Sequence, residues 1–217
     1  MKEVLILGAT GGIGSACSKR FSSENGLFRI TEVSRKVGDL RSREFRAVLA
    51  ERENPHIVIS TFGTAPNQSV SYVDAIEEHA ISVIDLYEKF EAKGRMEHFV
   101  VLSSLSALSS SIAHVFQGEG THKYLIAKRM LSDFFRQSQL FMKSHSKVMV
   151  VEPGYVRTNF ADIANRAQAK SETDFIMKTK LSLIEPSVIA NEIFRVVTDP
   201  ALPSMSMTYF NRSLGET

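Results

Sequence analysis

Short runs that are apolar at every position alternate along this chain with segments of helical periodicity. Val4-Leu5-Ile6-Leu7, Ile57-Val58-Ile59, Phe99-Val100-Val101-Leu102 and Val148-Met149-Val150-Val151 are such runs. Runs of this length and composition suit strands buried on both faces, as the middle strands of a parallel sheet must be. Phe28 to Val33 reads as a further strand and Ser206 to Phe210 as a closing one. Between the runs, Ser15 to Phe21 predicts a helix. Residues 42 to 53 predict another, with Phe45, Val48 and Leu49 turned inward and Pro55 marking its end. A long helix is predicted from Ser69 to about Ala92, its apolar face spread over Val73, Ile76, Ala80, Val83, Ile84 and Tyr87. Others run from about Thr121 to Met142 and from Glu185-Pro186-Ser187 to about Val197. Strands alternating with helices over 217 residues predict one α/β domain, a doubly wound parallel sheet with a single core.

The chemistry-bearing residues fall where such a sheet binds ligands, at the carboxyl ends of its strands. The first run ends in Gly8-Ala9-Thr10-Gly11-Gly12-Ile13-Gly14, and a helix follows at once. Glycines there turn the chain sharply and let a ligand approach the backbone, while the helix presents free N–H groups and its positive dipole end. That is a cradle for pyrophosphate. The second strand ends in Ser34-Arg35, where an acid would hold the ribose 2′-hydroxyl of NAD. A hydroxyl and a guanidinium fork suit the extra phosphate of NADP instead. The strand at 57 to 59 runs into Ser60-Thr61-Phe62-Gly63, and the strand at 98 to 102 delivers Ser103-Ser104. Serines at such a place also serve as caps. Tyr124 and Lys128, four apart on a predicted helix, put a hydroxyl and an ammonium on one face, a spacing that also arises by chance. The strand at 147 to 151 breaks at Pro153-Gly154 and continues as Tyr155-Val156-Arg157-Thr158.

Composition narrows the classes. Twenty-six Lys plus Arg against 24 Asp plus Glu leave a formal charge of +2, with the basic residues scattered, which argues against a nucleic-acid partner. Cys17, the single cysteine, reads as a small buried hydrophobe and excludes disulfides within the chain. No apolar run reaches membrane-spanning length, and the first is too short for a signal peptide, so a cytoplasmic location without membrane contact is expected. No metal site is expected. From Asn159 to Ile184 no periodicity holds, yet Phe160, Phe175, Ile176 and Met177 are apolar enough to line a cavity. A substrate loop over about 155 to 185, acting as a mobile lid, is expected.

Taken together, these pieces resemble the short-chain dehydrogenase/reductase family from Val4 to about Thr158. The family's glycine pattern falls on Gly8, Gly12 and Gly14, its catalytic serine on Ser104, its tyrosine and lysine on Tyr124 and Lys128, and its proline-glycine-to-threonine segment on Pro153, Gly154 and Thr158. The resemblance implies hydride transfer between NADP(H) and a small carbonyl or alcohol substrate. Tyr124 would be the acid, its pKa lowered by Lys128 together with the oxidised nicotinamide, and Ser104 would hold the substrate oxygen. It also implies cofactor contacts at Thr10, Gly11, Ile13, Ser34, Arg35, Asp39, Leu40, Phe62, Gly63 and Val156. A homodimer through helices 69–92 and 121–142 is implied as well, for which Phe134 and Phe135 supply an apolar motive. Three departures stand out. Ser60-Thr61-Phe62-Gly63 replaces the family's Asn-Asn-Ala-Gly. The long helix lacks the family's relay asparagine, and His79, nearest by spacing, reads by default as a histidine on the helix face. The glycine-rich ending of tetrameric members is missing, which favours a dimer.

A piece of the family's fold is also expected to be absent. Asp39-Leu40 looks like the end of the family's third strand, yet Asp39 lies five positions after Ser34, too near for a crossover between parallel strands. The expected sheet therefore has about six parallel strands in the order 2-1-4-5-6-7 in family numbering, the second at the edge. Arg41 to Glu53 is then the direct crossover to Ile57. Two other functions compete with the reductase. A cofactor-sensing regulator binds NADP without turnover and has no need of Ser104, Tyr124 and Lys128 together. A nucleotide-sugar epimerase or dehydratase needs a sizeable carboxyl-terminal domain, for which this length leaves no room.

Overall fold

The computed structural model describes residues 1–64, 69–105, 119–141, 144–158 and 183–209. Its first strand, β1 (Lys2–Leu7), is followed by α1 (Gly12–Ser22), β2 (Phe28–Val33), α2 (Arg43–Arg52) and β3 (Ile57–Ser60). Then come α3 (Tyr72–Ile76), a π-helical turn (Glu77–Ile81) and α4 (Ser82–Glu91), which follow one another without a break. The chain continues as β4 (His98–Leu102), α5 (Glu119–Phe141), β5 (Lys147–Pro153), α6 (Pro186–Thr198) and β6 (Met205–Tyr209). The six strands form one sheet in the order β2-β1-β3-β4-β5-β6, every neighbouring pair parallel. This is the doubly wound sheet the sequence predicts.

The shortened topology is also as expected. Residues 35 to 41 are turn and loop with no strand, and α2 carries the chain from the edge strand β2 across β1 to β3. The order reverses at β1, which places a crevice at the carboxyl ends of β1 and β3.

Strand side chains alternate between two core layers because their period is two. Leu5, Leu7, Val58, Phe99, Val101 and Val150 pack with Leu49 of α2, Leu86 and Tyr87 of α4 and Phe135 of α5. Val4, Ile6, Ile59, Val100 and Val151 face the other way, onto Cys17 and Phe21 of α1 and Ile189 and Ile193 of α6. Cys17 is fully buried as expected, and burial pushes its thiol up to about 12. Aromatic edges fasten both layers. Phe21 meets Phe28 and Phe194 at centroid distances of 5.1 Å each, and Tyr87 meets Phe99 and Phe135 at 5.1 Å each.

Two inward assignments differ from the sequence reading. In α2, Val48 is exposed while Arg46 is completely buried. The guanidinium of Arg46 is densely partnered: Nε donates to Asp85 Oδ2 at 2.6 Å, and Leu40 O, Arg41 O and Ser82 Oγ lie 2.9, 2.8 and 2.8 Å from Nη1, which shares its two N–H groups among them. Nη2 lies 3.2 Å from Glu77 Oε1. An unpaired buried guanidinium would be prohibitive, but this one clamps the loop at 40 to 41 onto the helices at 77 to 85. Hydrophobic periodicity cannot anticipate a cation with that many partners. Likewise Phe135 is core, Phe134 packs partly against it, and Ala80, Val83 and Tyr87 are core too. The broad apolar face read as a motive for dimerisation is mostly consumed inside the subunit.

Candidate active site

A cleft opens where the crevice was expected. Its floor begins with α1, which starts at Gly12 directly after the glycine turn. Gly8 holds φ +84°, and a side chain there would press on Thr61 Oγ1 at 2.9 Å. Thr61 Oγ1 in turn sits 2.9 Å from Leu7 O and 3.2 Å from Gly8 O, tying the end of β3 to the end of β1. A Cβ on Gly14 would drive into Gly8 O, and one on Gly12 into the Thr158 side chain. Gly11, the N-cap residue, has no side chain with which to cap the first turn of α1. A helix start with no capping side chain, approached this closely by Thr158, fits the pyrophosphate of a dinucleotide.

Of the residues expected to hold cofactor, Gly11, Gly12, Ile13, Gly14, Phe62, Gly63, Pro153, Gly154, Val156 and Thr158 line the cleft, with Ser104, Tyr124 and Lys128. Gly8 lies behind them in the turn. Thr10 is exposed on the rim, and Ser34, Arg35, Asp39 and Leu40 stand at the end of β2, outside the cleft lining. Leu40 is buried in the core. Asp39 is exposed and held by the Arg41 guanidinium, Nη2 to Oδ2 at 2.8 Å, which keeps its carboxyl below the usual range. The substrate loop falls outside the described residues from 159 to 182, as do Phe160, Phe175, Ile176 and Met177.

Tyr124 projects from α5 between Ser104 and His79. Burial pushes its hydroxyl pKa up, and a hydrogen bond with Ser104 opposes that rise. The sequence reading has the pKa lowered by Lys128 and a bound cofactor; in the protein alone, desolvation dominates. The Lys128 ammonium is buried one helical turn on, 5.8 Å from the Tyr124 ring centroid, and donates to Leu102 O at 2.8 Å. Burial lowers it to about 8, against the pull of the Glu78 carboxylate.

His79 is the principal correction. Read by default as a histidine on the helix face, it is a cleft residue, 3% exposed. The π turn Glu77–Ile81 rotates it inward: its ring stands edge-on to Tyr124 at 5.0 Å and 86°, and its Nδ1 would be 2.6 Å from a Cβ on Gly63. Burial, and then the charge of Lys128, lower its pKa to about 3, so it is neutral. Its Nδ1 has no hydrogen-bond partner among the described residues. A π turn shifts helix phase by an extra residue, which a 3.6-residue pattern does not register. Thr121 and Leu125, also in the lining, share the face of Tyr124 and were legible from spacing alone. Among the described residues no group of three His, Cys, Asp or Glu is arranged to hold a metal, and no helix is long and apolar enough to cross a membrane.

Sequence comparison with curated proteins found no match. Among solved structures, a variant of actinorhodin polyketide ketoreductase with NADPH superposes with a TM-score of 0.77 at 16% identity, over 99% of this chain and 98% of that one. The 3-alpha-hydroxysteroid dehydrogenase from Pseudomonas sp. B-0831, complexed with NADH, gives 0.74 at 16% over 95% and 94%. 4-hydroxyisoleucine dehydrogenase complexed with NADH gives 0.74 at 18% over the whole of both chains. These likenesses establish the fold. The sequence profile of the NAD dependent epimerase/dehydratase family matches residues 4–139. That match reopens the branch set aside on length. The chain therefore belongs to the NAD dependent epimerase/dehydratase family, with the fold of the short-chain dehydrogenases and reductases.

Proposed function

We propose that the protein is an NADPH-dependent oxidoreductase that reduces a small carbonyl substrate. The observation that carries this reading is the convergence of Ser104, Tyr124 and Lys128 on one cleft whose floor is the start of α1. Residues Gly11 to Gly14 would receive the pyrophosphate, Lys128 the nicotinamide ribose, and Ser34 with Arg35 the 2′-phosphate. A bound reduced nicotinamide supplies the hydride. Ser104 donates a hydrogen bond to the substrate oxygen and steadies the charge that develops there. Tyr124, protonated at neutral pH as an ordinary phenol is, gives its proton to that oxygen.

The test is a panel of aldehydes, ketones and quinones with NADPH, following loss of its absorbance, repeated with Tyr124→Phe. The parent should consume NADPH. The variant should lose about 10²- to 10⁴-fold in kcat with cofactor affinity nearly unchanged, as expected when a positioned proton donor is removed. Retained turnover in the variant would remove this mechanism. An inactive panel despite tight NADPH binding would promote the regulator. The family match gives the epimerase its own signature: a hydride taken and returned leaves no net NADPH loss while the substrate isomerises.

A further inference from the structure

Helix α5 carries Tyr124, Lys128, Ser132 and Arg136 at a constant spacing of four, so all four lie along one stripe. The first two face the cleft. The second two converge on Glu152, which is wholly buried near the end of β5, directly before Pro153-Gly154. Ser132 Oγ donates to Glu152 Oε1 at 2.8 Å, and Arg136 Nη2 pairs with Glu152 Oε2. Ser132 Oγ is also 2.6 Å from Ser103 Oγ, and Ser103 Oγ is 3.0 Å from Lys128 O. Ser103 N donates to Val151 O at 2.7 Å, and Lys128 Nζ to Leu102 O at 2.8 Å. These bonds join the ends of β4 and β5 to the middle of α5.

Apolar packing by Leu131 and Phe135 holds α5 against the sheet through contacts that are close but less directional than hydrogen bonds. Hydrogen bonds fix direction. The bonded residues are the immediate neighbours of the reacting groups: Ser103 precedes Ser104, Lys128 belongs to both sets, and Glu152 precedes Pro153. Moreover, three oxygen–oxygen contacts link Glu152, Ser132, Ser103 and Lys128 O, while the two hydroxyls own two hydrogens. Ser132 Oγ donates to Glu152 Oε1 while Arg136 pairs with the other carboxylate oxygen, so the Ser132 hydrogen is spent on Glu152. The Ser103 hydrogen is then shared between the Ser132 oxygen and the Lys128 carbonyl. The carboxylate thus orders the chain as far as the backbone of Lys128.

We propose that Glu152, acting through Ser132 and Arg136, is a positioning residue that sets the rotation of α5 so that Tyr124 and Lys128 meet Ser104. The proposal rests on the oxidoreductase reading for its effect on turnover, but its geometry can be read without turnover. In Ser132→Ala and Arg136→Ala, made in the full chain, cooperative thermal unfolding should persist, and NADPH affinity by fluorescence titration, which reads the displacement of Lys128, should weaken by less than kcat falls. At the same time kcat should fall about 10- to 100-fold with little change in KM, the signature of a misplaced reacting group. Arg136→Lys, which keeps the cation, should recover most of the loss. In the unliganded protein, the ionisation of Tyr124, taken as the difference between the ultraviolet titrations of each background with and without Tyr124→Phe, should move toward the ordinary phenol range in Ser132→Ala. Unchanged kcat together with an unmoved Tyr124 titration would overturn the proposal, as would a loss of NADPH affinity as large as the loss of kcat. Should the parent neither bind nor consume NADPH, the oxidoreductase reading fails, and the tyrosine titration still decides the positioning role.

Discussion

The ammonium of Lys128 donates to the carbonyl oxygen of Leu102 at 2.8 Å, so the cation expected to hold cofactor is anchored on the strand that precedes Ser104. Its burial lowers its pKa from 10.5 to about 8. A ribose hydroxyl or phosphate gains more from the ammonium than from the neutral amine. NADPH affinity should therefore weaken as pH rises from neutral through about 8. Lys128→Met should weaken binding at neutral pH and abolish this dependence. Fluorescence titration between neutral and moderately alkaline pH checks both.

Acid should destabilise the fold through two histidines. Burial, then Lys128, lowers His79 from 6.5 to about 3; burial, then Lys147 and Lys2, lowers His98 to about 4. Unfolded, both take up protons below about 6.5, whereas the folded protein refuses them. The stability they contribute is therefore complete at neutral pH and is lost as pH falls through the window from 6.5 toward 4. The loss at pH 5 is at most roughly 2 kcal/mol per histidine, because each pKa unit is worth about 1.4 kcal/mol. Denaturant melts at pH 7 and pH 5 should show the drop, and His98→Gln should shrink it.

Cofactor preference should reside in Arg35. It is exposed in the turn after β2, where Ser34 O accepts from Val37 N at 2.9 Å and Gly38 N at 3.1 Å. The nearby Asp39 is neutralised by Arg41 and so offers little repulsion to a phosphate. A guanidinium–phosphate contact is worth roughly 1.5–3 kcal/mol, or about one to two decades in affinity. NADPH should bind tighter than NADH by about that factor, and Arg35→Ala should remove most of the gap. Equal affinities in the parent would show that this strand end reads no phosphate.

A homodimer remains the expected assembly, through a smaller patch than the sequence pattern implied. Tyr72, Val73, Ile126 and Met130 of α3 and α5 are 38% to 74% exposed, and the Tyr72 hydroxyl bonds to Nδ1 of His122 at 2.9 Å, joining the two helices. Val73→Asp with Ile126→Asp should convert a dimer to monomer in sedimentation without altering thermal stability of the subunit. A parent that sediments as a monomer at micromolar concentration would defeat the assignment.

The strand order came from the resemblance to the short-chain dehydrogenase/reductase family, whereas the amino-acid sequence by itself determined the strands, the shortened connection after Ser34 and the glycine turn. Each of these follows from local quantities: apolar runs, chain reach between Ser34 and Asp39, and the steric freedom of Gly8. The resemblance to the short-chain dehydrogenase/reductase family, not spacing alone, pointed to Ser104, Tyr124 and Lys128 together, and the fold brings them to one cleft. Tertiary structure decided what depends on partners distant in the chain. Arg46 is core because Asp85, Ser82 and the carbonyls of Leu40 and Arg41 surround it. His79 faces the cleft where a π turn interrupts the regular helical period. Glu152 is an acceptable buried charge because Ser132 and Arg136, on another element, reach it. Hydrophobic patterning assigns charged residues to the surface by default, and the energy that overrides the default comes from contacts which form when the chain is folded.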